Sequence, residues 1–229
     1  MSMPADSVAP AKQPGADADL IDGVLKAEPG AAERFVREHN SRLYRTARAI
    51  LRDDAEAEDA VQEAYMHAIP ALGGFRGDSA LSTWLVRIVA NIALMRRRRL
   101  SRTRELIAVD SELAARVLDA VHDPAPGPER IALRGEVRRR IEAAIDSLPR
   151  PYRVVFVLRE IEEMSVEETG VTLGLPQATV RTRCFRARAM LREKLAGDAA
   201  CDLREVFSFG GERCDRVAAN VLDALRLRA

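Results

Sequence analysis

FRGDSALSTWLVRIVANIALMRRRR, Phe75–Arg99, opens as a small-residue loop, becomes an apolar helix and ends in four consecutive arginines. At about 100° per residue, Leu81, Leu85, Ile88, Val89 and Ile92 share one stripe, the pattern of a core-facing helix side. Beside that stripe lie Trp84, Arg87, Asn91, Met95 and Arg98. An unpaired amide buried in a core costs ~1–3 kcal/mol, so Asn91 belongs at a wet boundary. Read alone, the helix fits a tryptophan anchor and a solvated basic end favoured by the macrodipole. The loop before it adds an aromatic, a cation and a glycine (Phe75, Arg76, Gly77) followed by Asp78 and Ser79. Aromatic faces beside amides and cations form a platform on which unstacked bases can lie.

The surrounding chain reads as helix as well. Its 229 residues are 47% hydrophobic but only 4% aromatic, and strand-like runs of Val, Ile and Thr are few, which points to an all-α protein. The net charge of +1 hides segregation: arginines gather at 96–99, 134–140 and 181–192, acids at 53–63, 110–123 and 160–168. A near-neutral chain with such blocks can present one face to a polyanion. The three cysteines form no CxxC pair and no export signal or ~20-residue apolar span stands out, so a reducing, cytoplasmic setting without membrane insertion is expected.

Two helical domains are expected. Residues 1–18 have almost nothing to bury and read as a disordered tail, and 19–100 form the first domain, with Asp53 or Asp54 suited to cap the helix ending near Ile69. Residues 101–133, with DPAPGPE at Asp123–Glu129, read as a flexible interdomain linker. The second domain, 134–196, holds a helix-turn-helix pattern: Ser165 and Glu168 form a capping box, Gly174-Leu175-Pro176 supplies the turn, and a second helix starts at Gln177. Val180, Cys184, Ala187 and Leu191 should be buried along that helix. Gln177, Thr179, Arg181, Thr182, Phe185 and Arg186 are then candidates for reading DNA, with arginine able to grip guanine or phosphate. A basic amphipathic helix can equally be plain surface. Gly170 inside the first helix of the motif should cost ~1 kcal/mol against alanine. The 197–229 extension carries FSFGG, with two exposed-looking phenylalanines, and a short helix lined by Val217, Val221, Leu222 and Leu225. It should pack on the second domain or serve a regulatory contact, either holding the two domains together or meeting an inhibitor.

These residues resemble a family. GFRGDSALSTWLVRIVANIALMRRRR is similar to the promoter-melting segment of the extracytoplasmic-function sigma factors. LYRTARAILRDDAEAEDAVQEAYMHAI is similar to the segment with which they grip core RNA polymerase, and SLP-x-x-Y-R-x-V-F-x-L-R-E precedes their minus-thirty-five reading motif. The resemblance implies base capture at Phe75 and Asn91. It implies minus-ten contacts by Phe75, Arg76, Asp78, Ser79, Trp84, Arg87, Asn91, Arg96 and Arg98. For Asp59, Gln62 and Glu63, otherwise an ordinary solvated face, it implies docking on polymerase. It also implies core RNA polymerase, promoter DNA and an anti-sigma factor as partners, and no cofactor, metal or small-molecule substrate.

Enzymatic readings find no support, because the sequence holds no phosphate-binding glycine loop, paired-histidine zinc motif or nucleophile elbow. Two rival binding readings fit less well. A sigma-like decoy that sequesters an anti-sigma factor would not need Arg96–Arg99 and the arginines of 181–188. A dimeric repressor would leave the 75–99 loop and helix without a role.

Overall fold

The computed structural model describes residues 14–108, 129–195, 207 and 209–226, and every regular element among them is helical. The first domain comprises α1 (Pro14–Leu25), α2 (Ala31–Leu51), α3 (Asp54–Ala71) and α4 (Leu81–Ala108). Alanines 57, 60, 64 and 68 recur on one side of α3, and their small side chains let α2 and α4 approach closely. Phe35, Val36, Leu43, Val61, Tyr65, Leu81, Leu85 and Val89 fill the space between them. The Tyr65 hydroxyl meets its polar need inside that core by donating to the Val36 carbonyl at 2.9 Å. Asp53 caps α3 by accepting from the Glu56 amide at 2.9 Å.

The second domain comprises α5 (Glu129–Asp146), α6 (Arg150–Phe156), α7 (Val166–Leu173) and α8 (Gln177–Lys194), with a wider π-turn at Val157–Ile161 continuing α6. The expected stripe Val180, Cys184, Ala187 and Leu191 is buried. The expected capping box is formed in both directions, Glu168 N to Ser165 Oγ at 3.0 Å and Ser165 N to Glu168 Oε2 at 2.7 Å. Gly174 ends α7 in the left-handed conformation that suits glycine, with φ 65°.

Several expectations need correction. Helix begins at Pro14, inside the stretch read as disordered, where proline suits a first helical turn and Asp17 answers the helix dipole. The proposed linker is helical at both ends, since α4 runs to Ala108 and α5 starts at Glu129; its middle, 109–128, lies outside the described residues, as does Cys201. No glycine or proline interrupts 100–108, so adding turns to an existing helix is cheap there. At Gly170, propensity is the wrong guide. A Cβ there would lie 2.8 Å from the Leu175 carbonyl oxygen, which belongs to the turn backbone and cannot swing away. Glycine permits the tight return of the turn onto α7.

The C-terminal helix α9 (Glu212–Arg226) packs on α2 and α3 of the first domain, not on the second domain. Val217, Ala218 and Val221 are buried there, with Leu225 beside them. Phe207 and Phe209, expected to be exposed, are buried. Phe209 stacks on Tyr44 with ring centroids 4.2 Å apart.

The two domains also meet directly. Glu162 is buried and accepts from Arg45 Nε at 2.6 Å and Arg42 Nε at 2.9 Å, both on α2. Arg48 joins α2 to Asp146 at 2.9 Å. Arg153, only 2% exposed, donates across to the Ala49 carbonyl at 2.8 Å and also to the carbonyls of Asp146 and Leu148. Burial, with Arg52 nearby, pulls its guanidinium down to about 10. Val154, Leu158 and Met164 extend the first domain's core across the joint.

Candidate nucleic-acid interface

The outer side of α4 is set by the loop that leads into it. A short 3₁₀ turn at Leu72–Gly74 closes with Phe75 N donating to Leu72 O at 3.0 Å. Gly77 takes φ 74°, turning the chain towards α4. The Phe75 ring then rests against Trp84, with centroids 5.5 Å apart and planes tilted by 55°. Asn91 lies two helical turns beyond Trp84 on the same side and is exposed, followed by Met95, 54% exposed. Arg76 and Asp78 are exposed and Ser79 is half-buried. The structure thus brings Phe75, Trp84 and Asn91 onto one accessible strip.

Arg87 departs from that strip. It is half-buried and its charge acts on Glu168 of α7, which also accepts from Thr83 Oγ1 at 3.1 Å. Burial opposes the charge on Glu168, but hydrogen bonds from Ser165 and Thr83, with Arg87 nearby, outweigh it and hold the carboxyl below its ordinary range.

The arginine block at 96–99 divides in the same way. Arg96 turns back onto α3, where it meets Glu63 at 2.9 Å, Glu56 at 3.2 Å and Asp59 at 3.7 Å. Two of the acids expected to face polymerase, Asp59 and Glu63, therefore share an arginine that was expected to face DNA. Gln62 is half-buried next to them, and Arg98 is exposed. His67 stands 4.0 Å from Glu63, the surface pair that their spacing suggests.

On α8 the outward residues are those read from the sequence. Gln177, Arg181, Thr182, Phe185 and Arg186 are exposed, Phe185 at 68%, and Thr179 is half-buried. Arg181 Nη2 donates to Gln177 Oε1 at 3.3 Å, and the Thr182 hydroxyl to the Ala178 carbonyl at 2.9 Å. Between α8 and the start of α6 runs an open groove of about 410 Å³ lined by Pro151, Tyr152, Thr179, Thr182, Arg183 and Arg186. Tyr152 and Arg183 escaped sequence reading, because what brings them to this face is the packing of α6 on α8. Tyr152 accepts from Arg186 Nη1 at 3.4 Å.

Another flank of α8 is tied to Glu160. Arg188 pairs with Glu160 at 2.7 Å, and the Cys184 thiol donates to the same carboxylate at 3.2 Å. Burial, then Glu160, pushes that thiol up to about 11. It stays protonated at neutral pH and is a packing residue rather than a nucleophile.

Two helical modules each carry an arginine-bearing outer helix and one is a helix-turn-helix, the arrangement of a nucleic-acid-binding protein. Comparison with known proteins makes the class specific. Sigma-70 region 2 matches residues 35–103 and Sigma-70, region 4 matches residues 138–191. The chain is 34% identical over 182 residues to the RNA polymerase sigma-H factor of Pseudomonas aeruginosa, covering 78% of this chain and 93% of that one. It is 32% identical over 184 residues to the ECF RNA polymerase sigma-E factor of Escherichia coli, covering 78% and 94%. Its fold matches a sigma factor of Bartonella quintana, solved in complex with the anti-sigma factor NepR, with a TM-score of 0.53 and 21% identity over 77% of this chain and 99% of that one. The chain belongs to the extracytoplasmic-function sigma factors of the sigma-70 family, which serve in promoter recognition and transcription initiation. No helix among the described residues is long and apolar enough to cross a membrane.

Proposed function

We propose that the two outer strips divide promoter reading between them. The strip made by Phe75 of the preceding loop with Trp84 and Asn91 of α4 takes an unstacked base of the minus-ten element, with Arg76, Asp78, Ser79 and Arg98 around it. The exposed side of α8, Gln177 to Arg186, lies in the major groove of the minus-thirty-five element. Arg181 and Arg186 supply guanine or phosphate contacts there, and Thr182 and Phe185 the apolar ones. The chain does no covalent chemistry of its own and acts in the cytoplasm on core RNA polymerase, met through α3 at Asp59, Gln62 and Glu63. An anti-sigma protein is the expected inhibitor, by likeness to the Bartonella complex.

The observation that carries this reading is the exposure of Asn91 on the side of α4 against which the rings of Phe75 and Trp84 pair. A half-buried aromatic pair and, about 10 Å further along the same side of the helix, an exposed amide offer a stacking surface and a hydrogen-bonding edge on one strip. In transcription with purified core polymerase, Asn91→Ala should lower open-complex formation about tenfold, as expected for one lost base contact. Binding to core polymerase should stay at the parent level. Equal losses in both assays would reject the base-capture role.

A further inference from the structure

The family matches stop at residue 191, yet Phe207, Phe209, Val217, Ala218 and Val221 beyond it are buried. On α9, Arg213 reaches Asp54 at 2.7 Å and Glu58 at 3.2 Å, and Arg216 reaches Glu58 at 2.8 Å. Asp215 pairs with Arg37 at 2.6 Å. Just ahead of α9, Ser41 Oγ donates to the Phe209 carbonyl at 2.9 Å. These contacts anchor the segment on α2 and α3.

Phe207 does something different, because it sits where the two domains meet. Its amide donates to Glu142 of α5, in the second domain, at 2.8 Å. Its ring lies 5.5 Å from the guanidinium of Arg48 on α2, in the first domain, and is buried in one cluster with Ala49, Ile141 and Ile145. Its φ of 51° is a left-handed conformation that bulky residues rarely adopt, so the surroundings must hold it there.

The joint that Phe207 closes conflicts with promoter reading. Elements named for positions ten and thirty-five have centres about 25 base pairs apart, roughly 85 Å along B-form DNA. Here α7, the partner helix of α8, touches α4 through Thr83 and Glu168 at 3.1 Å. The domains must part before both elements can be read. We propose that the C-terminal segment is an autoinhibitory clasp: α9 anchors it to the first domain and Phe207 pins the second domain closed against it. This rests on the two-element reading of the promoter given above.

The test uses the full-length chain in small-angle X-ray scattering and in transcription with core polymerase. Phe207→Ala leaves α9 in place and removes the pin. It should expand the free chain and lower the chain concentration needed for half-maximal transcription about tenfold, as a larger binding-competent fraction requires. The double variant Arg213→Glu with Arg216→Glu loosens the anchor at partly exposed positions and should act in the same direction, so the outcome does not hang on the folding of one variant. Variants as compact as the parent would overturn the clasp. Expansion without a change in half-maximal concentration would overturn its inhibitory role. Should neither parent nor variants support transcription, the promoter-reading assignment fails, while scattering still reports whether the segment holds the domains together.

Discussion

Arg96 and Arg181 stand in arginine-rich stretches that look alike in sequence, and they have opposite fates. Arg96 turns inward and is shared by Glu56, Asp59 and Glu63 of α3, whereas Arg181 is exposed on α8 with Gln177 beside it. On α8 the buried stripe of small and apolar residues fixes which arginines face out, and even Arg188, paired with Glu160, stays exposed. On α4 the apolar stripe ends before the block begins, and α3 offers three carboxylates within reach. A run of like charge is therefore not one surface. Each member is sorted by helix phase and by what the neighbouring helix holds out.

The comparison can be sharpened at its inward extreme. Arg153 is buried and satisfies three backbone carbonyls, so Arg153→Ala should cost ~3 kcal/mol or more in urea unfolding, since it leaves buried acceptors unpaired. Arg96→Ala should cost less, ~1 kcal/mol, because the network it serves is partly exposed. Arg181→Ala should leave unfolding unchanged within ~0.5 kcal/mol. It should instead weaken minus-thirty-five DNA binding and flatten its salt dependence by about one ion. A loss of stability at Arg181, or a loss of salt dependence at Arg96 equal to that at Arg181, would break the distinction.

What was legible in the sequence was whatever lies within one helix. The stripe Val180–Leu191, the Ser165 capping box, an aspartate cap at Asp53 or Asp54 and the exposure of Asn91 follow from spacing over a few residues, and the local periodicity is enough to place them. The side-chain pairings that escaped it depend on partners far along the chain. Arg96 and Glu56 are 40 residues apart, Arg45 and Glu162 are 117 apart, and Arg213 and Asp54 are 159 apart. Nothing in FSFGG says that its rings find Tyr44 and Ala49. Gly170 shows the same limit at short range: helix propensity concerns the helix alone, while the collision that forbids alanine comes from the turn that follows it.

The chemistry of the surfaces joining the two domains has a consequence for solubility. When they separate, Arg42, Arg45, Arg48, Asp146 and Glu162 emerge together with a few aliphatic side chains. Hydration of those ions offsets much of the attraction given up. A seam of the same size made only of leucine would become a sticky face each time it opened, inviting self-association. In the opened chain proposed above, these charged groups would face water beside the apolar ones and oppose self-association.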